Sequence, residues 1–506
     1  MRPDPAHRQT DKQLAALERR IARLYQEASE ELQETIDAYF EQFKKRDAEM
    51  KELIGTIQNG KEWTEADYKQ WRLNQIARGE RYQVLRDKIA RRMTDANAVA
   101  VSYTNDATPG IYSLNRNYAA YTIEQVAGNV GFDLWDEQTV KRLMVEQPDL
   151  MPYYPPKRAL KRGIDLAYGK KQITASVTSS ILLGKSIKHM ADDLQKRITT
   201  MNRDSAIRTA RTAVTGAQNA GRMDSYAAAQ KMGIKLKREW IATLDNRTRH
   251  AHAMLDGQQA DIDKPFKVDG YEIMFPGDTS APGYLVYNCR CTTAAVVDGV
   301  DTSSAQRRAK NPVTGETELI PNMTYQEWAE QKEAEDATAW NTYMKKGRNL
   351  SADTKQWQEY KSVLGNKVPN TVEKFQNLKY NEPEKWAQLK TTKRQTAVVK
   401  NAECVTTPKK YTGYFLKDGA KHADQFFDVG YTADNPLQLR YDMARQFDMS
   451  KSVDREELNG GAVKFNIYME LGVTKKKTFL TGWIQDTPES KPRIVTSFRK
   501  NKEGRQ

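Results

Sequence analysis

The residues best suited to chemistry lie between positions 240 and 291, a stretch with two of the five histidines and two of the three cysteines in 506 residues. Two thiols separated by one residue, with an imidazole upstream, can supply three ligands to a tetrahedral ion such as Zn²⁺. His252, Cys289 and Cys291 are therefore candidate zinc ligands, and Asp256, a neighbouring histidine or another carboxylate could supply the fourth. The alternative is a strand end packed beside a hydrogen-bonded histidine, with no ion.

A disulfide between the two neighbouring cysteines is not expected, because only one residue separates them and the geometry of such a bridge is demanding. Three cysteines in a chain of this length favour assembly under reducing conditions. Cys404 is expected to be a small buried hydrophobe.

A second group of reactive residues lies after position 400. Attack of a ribose 2′-hydroxyl on a phosphate needs a general acid or base, which His422 could supply. The reaction also needs cations that offset the developing charge and hydroxyls that orient the phosphate. The alternative is a surface histidine on a helix whose Phe426 and Phe427 face a core. The candidates for the additional roles are Lys421, Arg440, Arg493, Arg499, Thr496 and Ser497.

The elements that would position these residues are mainly helical. Apolar residues recur at steps of three and four from Leu14 to Phe43, which predicts a long amphipathic helix that needs a partner for its apolar stripe. Thr64-x-x-Asp67 resembles a capping box and predicts the start of a second helix. The helical pattern breaks between 97 and 117, where turn signals predict an interruption.

Later segments carry their own signals. A helix is predicted to stop at Gly184, and Ser186 is predicted to cap the next one. The polar, turn-rich stretch 298–319 predicts a linker before a group of charged helices. In the last hundred or so residues we expect a short strand, a turn and a helix, then a hairpin around Lys475–Lys477 and a final strand.

Composition restricts the class of protein. The net charge is +14 and the pI is about 9.3, which favours contact with a polyanion such as DNA, although such charge can also serve only solubility. Mean hydropathy is −0.80, and the sequence contains no apolar stretch long enough to span a membrane. The first twenty residues lack the apolar core of a secretory signal.

The region from about Thr199 to Val297 resembles the phage minor head protein family, also called Mu F-like. The motif residues that carry the resemblance fall in one helical run and two later segments. They are Arg208, Arg211, Thr212, Asn219 and Gly221, then Arg249, His252, Leu255, Asp256 and Gly257, and finally Asn288, Cys289, Arg290 and Cys291.

The resemblance implies a virion protein of a tailed phage, made in the host bacterial cytoplasm and located in the head interior or at the portal vertex. It implies the portal, the major capsid or scaffold protein and non-specific DNA as partners, with no membrane. Some relatives carry cysteines where this chain has Arg249 and His252, a set that would suit a structural zinc. Arg249, Asp256, Gly257 and Asn288 are expected to form one motif cluster with the three candidate ligands.

The tail resembles, more loosely, the small RNase-like domains at the C-termini of polymorphic toxins. The resemblance rests on the blocks 413–431 and 493–500 and implies a metal-independent ribonuclease with RNA as substrate. A binding module without catalysis is the alternative.

These observations predict an α+β, predominantly helical protein with four regions. The first, 1–100, is an N-terminal helical region with long helices. The others are a mixed Mu F-like domain at 101–298, a linker with charged helices at 299–400, and a small α+β toxin-like domain at 401–506. The expected function is that of a minor head protein acting in head assembly, DNA packaging or ejection, and the alternative is a virion-borne nuclease effector.

Overall fold

The computed structural model describes residues 4–128, 130–146, 166–301, 305–458 and 460–499. Residues 1–340 and 341–506 form two compact units. Long helices dominate the first unit, and small antiparallel sheets occur in both, which confirms the predominantly helical α+β class. None of the helices described is long and apolar enough to cross a membrane. The sequence is rich in proline at 148–156, and this stretch lies outside the described residues.

The first unit is built on three long helices that pack along one another. The stripe predicted from Leu14 to Phe43 lies on the first of them, and Ile21, Tyr25 and Ile36 are at most 1% exposed. The helices of the unit are α1 (Pro5–Glu41), α2 (Lys44–Glu52), α3 (Glu65–Ile76), α4 (Glu80–Ala127), α5 (Glu137–Glu146), α6 (Leu166–Leu182), α7 (Ile187–Lys231), α8 (His250–Leu255), α9 (Gly283–Val286) and α10 (Tyr325–Glu335).

The predicted interruption between 97 and 117 is wrong, because α4 continues through Pro109. A proline inside a helix leaves the carbonyl four residues earlier without its N–H donor. Here the Thr108 hydroxyl donates to the Asn105 carbonyl at 3.3 Å and replaces that donor. Pro109 and Ile111 are also buried in the helix packing, so tertiary contacts stabilise a helix that the local signals oppose.

Two predicted helix starts are confirmed. Thr64 and Asp67 form a complete capping box at the start of α3. Ser186 accepts a hydrogen bond from the His189 N–H at the start of α7, after Gly184 with φ +69°. Both caps satisfy backbone donors that a helix leaves unpaired.

Short strands follow α7 in the first unit, and all of them pair antiparallel. The central sheet has the order β4-β3-β7. The strands are β1 (Ile57–Gln58), β2 (Lys61–Glu62), β3 (Leu236–Ile241), β4 (Gln259–Ala260), β5 (Phe266–Val268), β6 (Tyr271–Ile273), β7 (Thr292–Val297), β8 (Gln306–Lys310) and β9 (Thr317–Pro321).

The predicted linker at 298–319 is largely a hairpin, so that prediction is wrong. β8 and β9 pair over five residues each. Arg307 in β8 is 8% exposed, so the polar composition of the segment conceals an inward-facing charged residue.

The second unit contains a helical segment followed by an α+β domain. Its helices are α11 (Ala337–Arg348), which begins just before the unit boundary, α12 (Leu350–Leu364), α13 (Val372–Asn381), α14 (Pro383–Asn401), α15 (Pro408–Lys410), α16 (Ala423–Phe427) and α17 (Pro436–Gln446). Its strands, β10 (Val453–Glu457), β11 (Val463–Leu471), β12 (Lys477–Gln485) and β13 (Arg493–Arg499), form one antiparallel sheet in sequence order. The predicted hairpin around Lys475–Lys477 and the final strand are confirmed.

The short strand predicted near 411 is wrong. Residues Tyr411–Phe415 form a π-helical turn instead. The Leu416 N–H donates to the Tyr411 carbonyl at 2.9 Å, a local hydrogen bond that closes the turn and that an extended strand cannot make.

Candidate functional site

The three candidate metal ligands lie together inside the first unit. His252 Nδ1 is 3.2 Å from Cys291 Sγ and 3.6 Å from Cys289 Sγ. All three residues are at most 3% exposed. Bond lengths of about 2.0 Å to nitrogen and 2.3 Å to sulfur give nitrogen–sulfur separations of about 3.5 Å around a tetrahedral zinc ion. The observed distances therefore fit two edges of such a site.

The histidine ring is oriented by its other nitrogen. Nε2 lies 2.8 Å from the Leu285 carbonyl oxygen, which can only accept a hydrogen bond, so Nε2 carries the proton. Nδ1 then presents a lone pair to the two sulfurs. This pairing of a ligating histidine with a backbone carbonyl is a common support for metal-binding imidazoles. Trp240, which is fully buried, packs edge-on against the His252 ring and fixes its position.

The two thiols differ in acidity. Burial raises the pKa of the Cys291 thiol well above its ordinary value, and the neighbouring Cys289 sulfur raises it further. Burial also acts to raise the pKa of Cys289, but hydrogen bonds from Cys291 and the charges of Arg249 and Arg290 outweigh it and lower the pKa. Cys289 is thus the more acidic thiol of the pair.

Helix α7 holds the cysteine segment from one side. The Thr215 hydroxyl donates to the Cys289 carbonyl at 2.8 Å, and the Asn219 amide donates to the Cys291 carbonyl at 3.3 Å. Asn219 also accepts from the Thr293 N–H at 3.1 Å. Arg222, which is 4% exposed, donates to the Thr293 carbonyl at 2.9 Å. These side chains recur every three or four residues, so one face of the helix aligns the backbone around both cysteines.

Two glycines let the neighbouring backbones approach α7. A Cβ on Gly221 would lie 2.4 Å from the Tyr112 carbonyl oxygen of α4. A Cβ on Gly277 would lie 2.6 Å from the Gly216 nitrogen, and Gly277 has φ +90°. Any larger side chain would therefore separate the helices or lift the loop that precedes the cysteines.

The other predicted motif residues have distinct positions. Arg249 donates to the carbonyls of Tyr284 and Tyr287, which tethers the start of α8 to the loop before the cysteines. Asn288 adopts φ +56°, and its N–H donates to the Thr212 hydroxyl at 3.4 Å. His250 is exposed, as is Arg208, while Arg211 pairs with Glu18 of α1.

Asp256 belongs to a different cluster. Its side chain is fully buried and pairs with Arg307 through two hydrogen bonds of 2.8 and 3.0 Å. It also accepts from the backbone N–H groups of Ala242 and Tyr325, both at 2.6 Å. Gly257 follows with φ +79°, where a Cβ would lie 2.6 Å from the Thr324 methyl group. Asp256 therefore joins β3, β8 and α10, and its oxygens are engaged away from the cysteines.

Thr215 and Arg222 are site residues that sequence reasoning missed. They lie within the helical run that carries the motif, and the signal was their spacing of three or four from Asn219. Polar residues on a helix otherwise predict a solvent-exposed face. The buried acceptors that they satisfy are backbone carbonyls, which leave no mark in the sequence.

The candidate residues of the tail do not form a single cluster. His422 has φ +71° and its ring lies 5.6 Å from that of Phe498 in β13. Gln425 contacts His422 Nδ1 at 3.3 Å and accepts from the Arg499 N–H at 2.6 Å, so His422 and Arg499 share a neighbour. Lys421 is exposed.

The other tail candidates lie elsewhere. Arg440 donates to the Thr406 carbonyl at 2.8 Å, and Arg493 pairs with Asp486 on the surface. Thr496 packs its methyl group beside Gly482, whereas the Ser497 side chain is buried with no hydrogen-bond partner among the described residues.

Comparisons with known proteins add an independent finding. Residues 171–294 match the family described as Phage Mu protein F like protein. The chain is 26% identical over 330 residues to minor head protein GP7 of Bacillus phage SPP1, an alignment that covers 64% of this chain and 95% of GP7.

A second relative shares a shorter region. The chain is 32% identical over 172 residues to the NAD(+)--arginine ADP-ribosyltransferase EFV of Enterococcus faecalis, which is 34% of this chain and 33% of that protein. The chain thus spans about a third of the Enterococcus protein and nearly all of the phage protein. No solved structure gives a significant match. The match of residues 171–294 and the alignment with GP7 support a phage minor head protein family for this chain.

Proposed function

We propose that this protein is a minor head protein of a tailed phage, carried in the virion in the head interior or at the portal vertex. The observation that carries the proposal is the alignment with GP7, which extends over 95% of that minor head protein and is not confined to one motif. The role is in head assembly and in DNA packaging or ejection. The ADP-ribosyltransferase activity named for the Enterococcus relative is not part of the proposal, because the shared region is a third of that protein.

The proposed partners are the portal protein, the major capsid or scaffold protein, and packaged DNA bound without sequence preference. No zinc finger or homeodomain pattern occurs in the sequence, and contacts of Lys and Arg with phosphates need none. Synthesis would take place in the host bacterial cytoplasm, where the free cysteines Cys289, Cys291 and Cys404 stay reduced.

Copurification tests the portal assignment. Full-length protein and a variant that ends at residue 340 are each mixed with tagged portal protein of the same phage. Both are expected to be retained, because the proposed portal contact lies in the helices of the first unit. Loss of binding only in the shortened variant would assign the contact to the second unit and contradict the proposal.

We also propose that His252, Cys289 and Cys291 hold a structural zinc ion. Three buried donors at tetrahedral spacing and the tethered imidazole support it. By coordinating His252 and both cysteines, the zinc would cross-link α8 to the cysteine segment and stabilise the fold. The alternative is a hydrogen bond from the Cys291 thiol to His252 Nδ1 without an ion.

A second candidate function concerns the tail alone, as a ribonuclease that needs no metal. The observation that favours it is His422, which is held in a left-handed backbone conformation beside β13. A strained non-glycine residue often marks a functional site. His422 would act as general acid or base, and Arg499 would offset the phosphate charge.

A further inference from the structure

The positive charge of the chain is concentrated in one part of the second unit. Residues 1–340 carry 49 Lys and Arg against 47 Asp and Glu, so the first unit is nearly neutral. Residues 341–401, here named the cationic helical segment, carry 13 Lys and Arg against only 5 Asp and Glu. More than half of the net +14 therefore lies in 61 residues. Solubility does not require the excess of positive charge to be concentrated in one segment.

Carboxylates neutralise only a few of these cations. Three lysines form ion pairs within the segment, Lys379 with Asp353, Lys385 with Glu382 and Lys393 with Glu359. Nine further cations are exposed and form no ion pair with a described residue. They are Lys345, Arg348, Lys355, Lys361, Lys367, Lys374, Lys390, Arg394 and Lys400.

Aromatic rings hold several of the free cations in place. Lys345 Nζ lies 5.4 Å from the centre of the Tyr380 ring, and Lys361 Nζ lies 4.7 Å from that of Trp357. Lys390 Nζ lies 6.0 Å from that of Trp386. A cation over a ring face gains modest stabilisation and loses mobility, yet it keeps its full charge toward an outside ligand. No internal carboxylate has to be displaced when an anion arrives.

The rings themselves are fixed by the fold of the segment. Trp386 stacks on Tyr360 at 5.4 Å between ring centres, and the Trp357 Nε1–H donates to the Pro369 carbonyl at 2.8 Å. Phe375 is fully buried beside them, so the helices α12, α13 and α14 share a small core. The ring-seated lysines therefore project from a rigid scaffold.

We propose that the cationic helical segment binds the phosphate backbone of duplex DNA. The choice of DNA among polyanions rests on the proposed role in a DNA-filled head. The phosphates of duplex DNA are negative charges at regular spacing, and ordered cations without carboxylate partners suit such a ligand. The carboxylates of an acidic peptide are spaced less regularly. Binding is expected to be independent of sequence and strongly dependent on salt.

The test measures the affinity of the full-length protein for a labelled duplex at several salt concentrations. The variant K345Q/K361Q/K390Q removes the three ring-seated charges, and its matched control K12Q/K51Q/K188Q removes three exposed charges of the first unit. The slope of log affinity against log salt should become shallower by about 2 to 3 in the first variant. Each of the three lost phosphate contacts contributes about 0.9 to that slope. Affinity should fall by roughly tenfold or more at 0.1 M salt, and the control should bind like wild type.

A second variant, K345R/K361R/K390R, keeps both charge and ring contacts and should retain binding, which separates loss of charge from loss of fold. Equal weakening in the first variant and in the control would overturn the proposal, as would a preference for RNA over duplex DNA or a wild-type slope near zero. Failure of this DNA-binding proposal would not contradict the proposed association with phage heads, because that association is tested separately by measuring the protein in phage particles.

Discussion

The His252–Cys289–Cys291 cluster is where single residues bear most directly on function. Its members could be predicted from the sequence as candidate ligands, because thiols and imidazoles are rare in this chain and are the donor types that zinc prefers. The supports Thr215 and Arg222 could not, because a polar residue on a helix gives no sign of which backbone carbonyl it will meet. The approach of Gly277 to Gly216 depends likewise on tertiary packing.

A metal measurement tests the cluster. Protein purified without chelator is expected to contain close to one equivalent of zinc, and His252→Ala and Cys289→Ser should lose it, because each removes one of three ligands. Removing the zinc should lower the melting temperature, since metal binding contributes to folding free energy. Cys404→Ser is the matched control, because it removes a buried thiol from the second unit and should keep the zinc. Wild-type protein with less than about a tenth of an equivalent would contradict the zinc assignment.

The proposed catalytic role of His422 has its own test. If the tail cleaves RNA, His422→Ala should lower the rate by roughly 10² to 10⁴, the usual contribution of a positioned acid or base. His250→Ala, an exposed histidine of the first unit, should have no effect. The assay measures RNA cleavage by the full-length protein in the presence of EDTA. If wild-type protein leaves the RNA intact, the ribonuclease hypothesis is excluded.

Among the secondary-structure elements, the amphipathic helix α1 and the caps of α3 and α7 could be predicted, because each signal is local. The continuation of α4 through Pro109 could not. It depends on a hydroxyl that replaces a lost donor and on burial against other helices. The β8–β9 hairpin was also missed, because its polar sequence resembles a linker and its one inward-facing charge finds a partner far away in the chain.

The Asp256–Arg307 pair makes the hairpin an integral part of the first unit. Arg307→Ala should destabilise the protein by about 3 kcal/mol, because it leaves a buried carboxylate without its partner. Arg308→Ala, which removes an exposed arginine from the same strand, should change stability by no more than about 0.5 kcal/mol. Denaturant unfolding of both variants checks this. Equal effects would mean that the hairpin is only a surface attachment.

For the whole molecule, the helical class and the small C-terminal sheet follow from periodicity and composition. The division at about residue 340 and the concentration of charge beyond it emerge only when the sequence is mapped on the structure. A nearly neutral first unit is followed in the second unit by a strongly cationic segment, and the proposed contacts with head proteins and with DNA are assigned to these two parts.

Quantitative mass spectrometry of purified phage particles tests the central proposal most directly. DNA-filled heads, freed of host protein by density gradient, should contain this protein at a fixed ratio to the portal protein. The same ratio should be found in independent preparations. Absence of the protein from intact particles, with the full amount remaining in the soluble lysate, would contradict its assignment as a minor head protein.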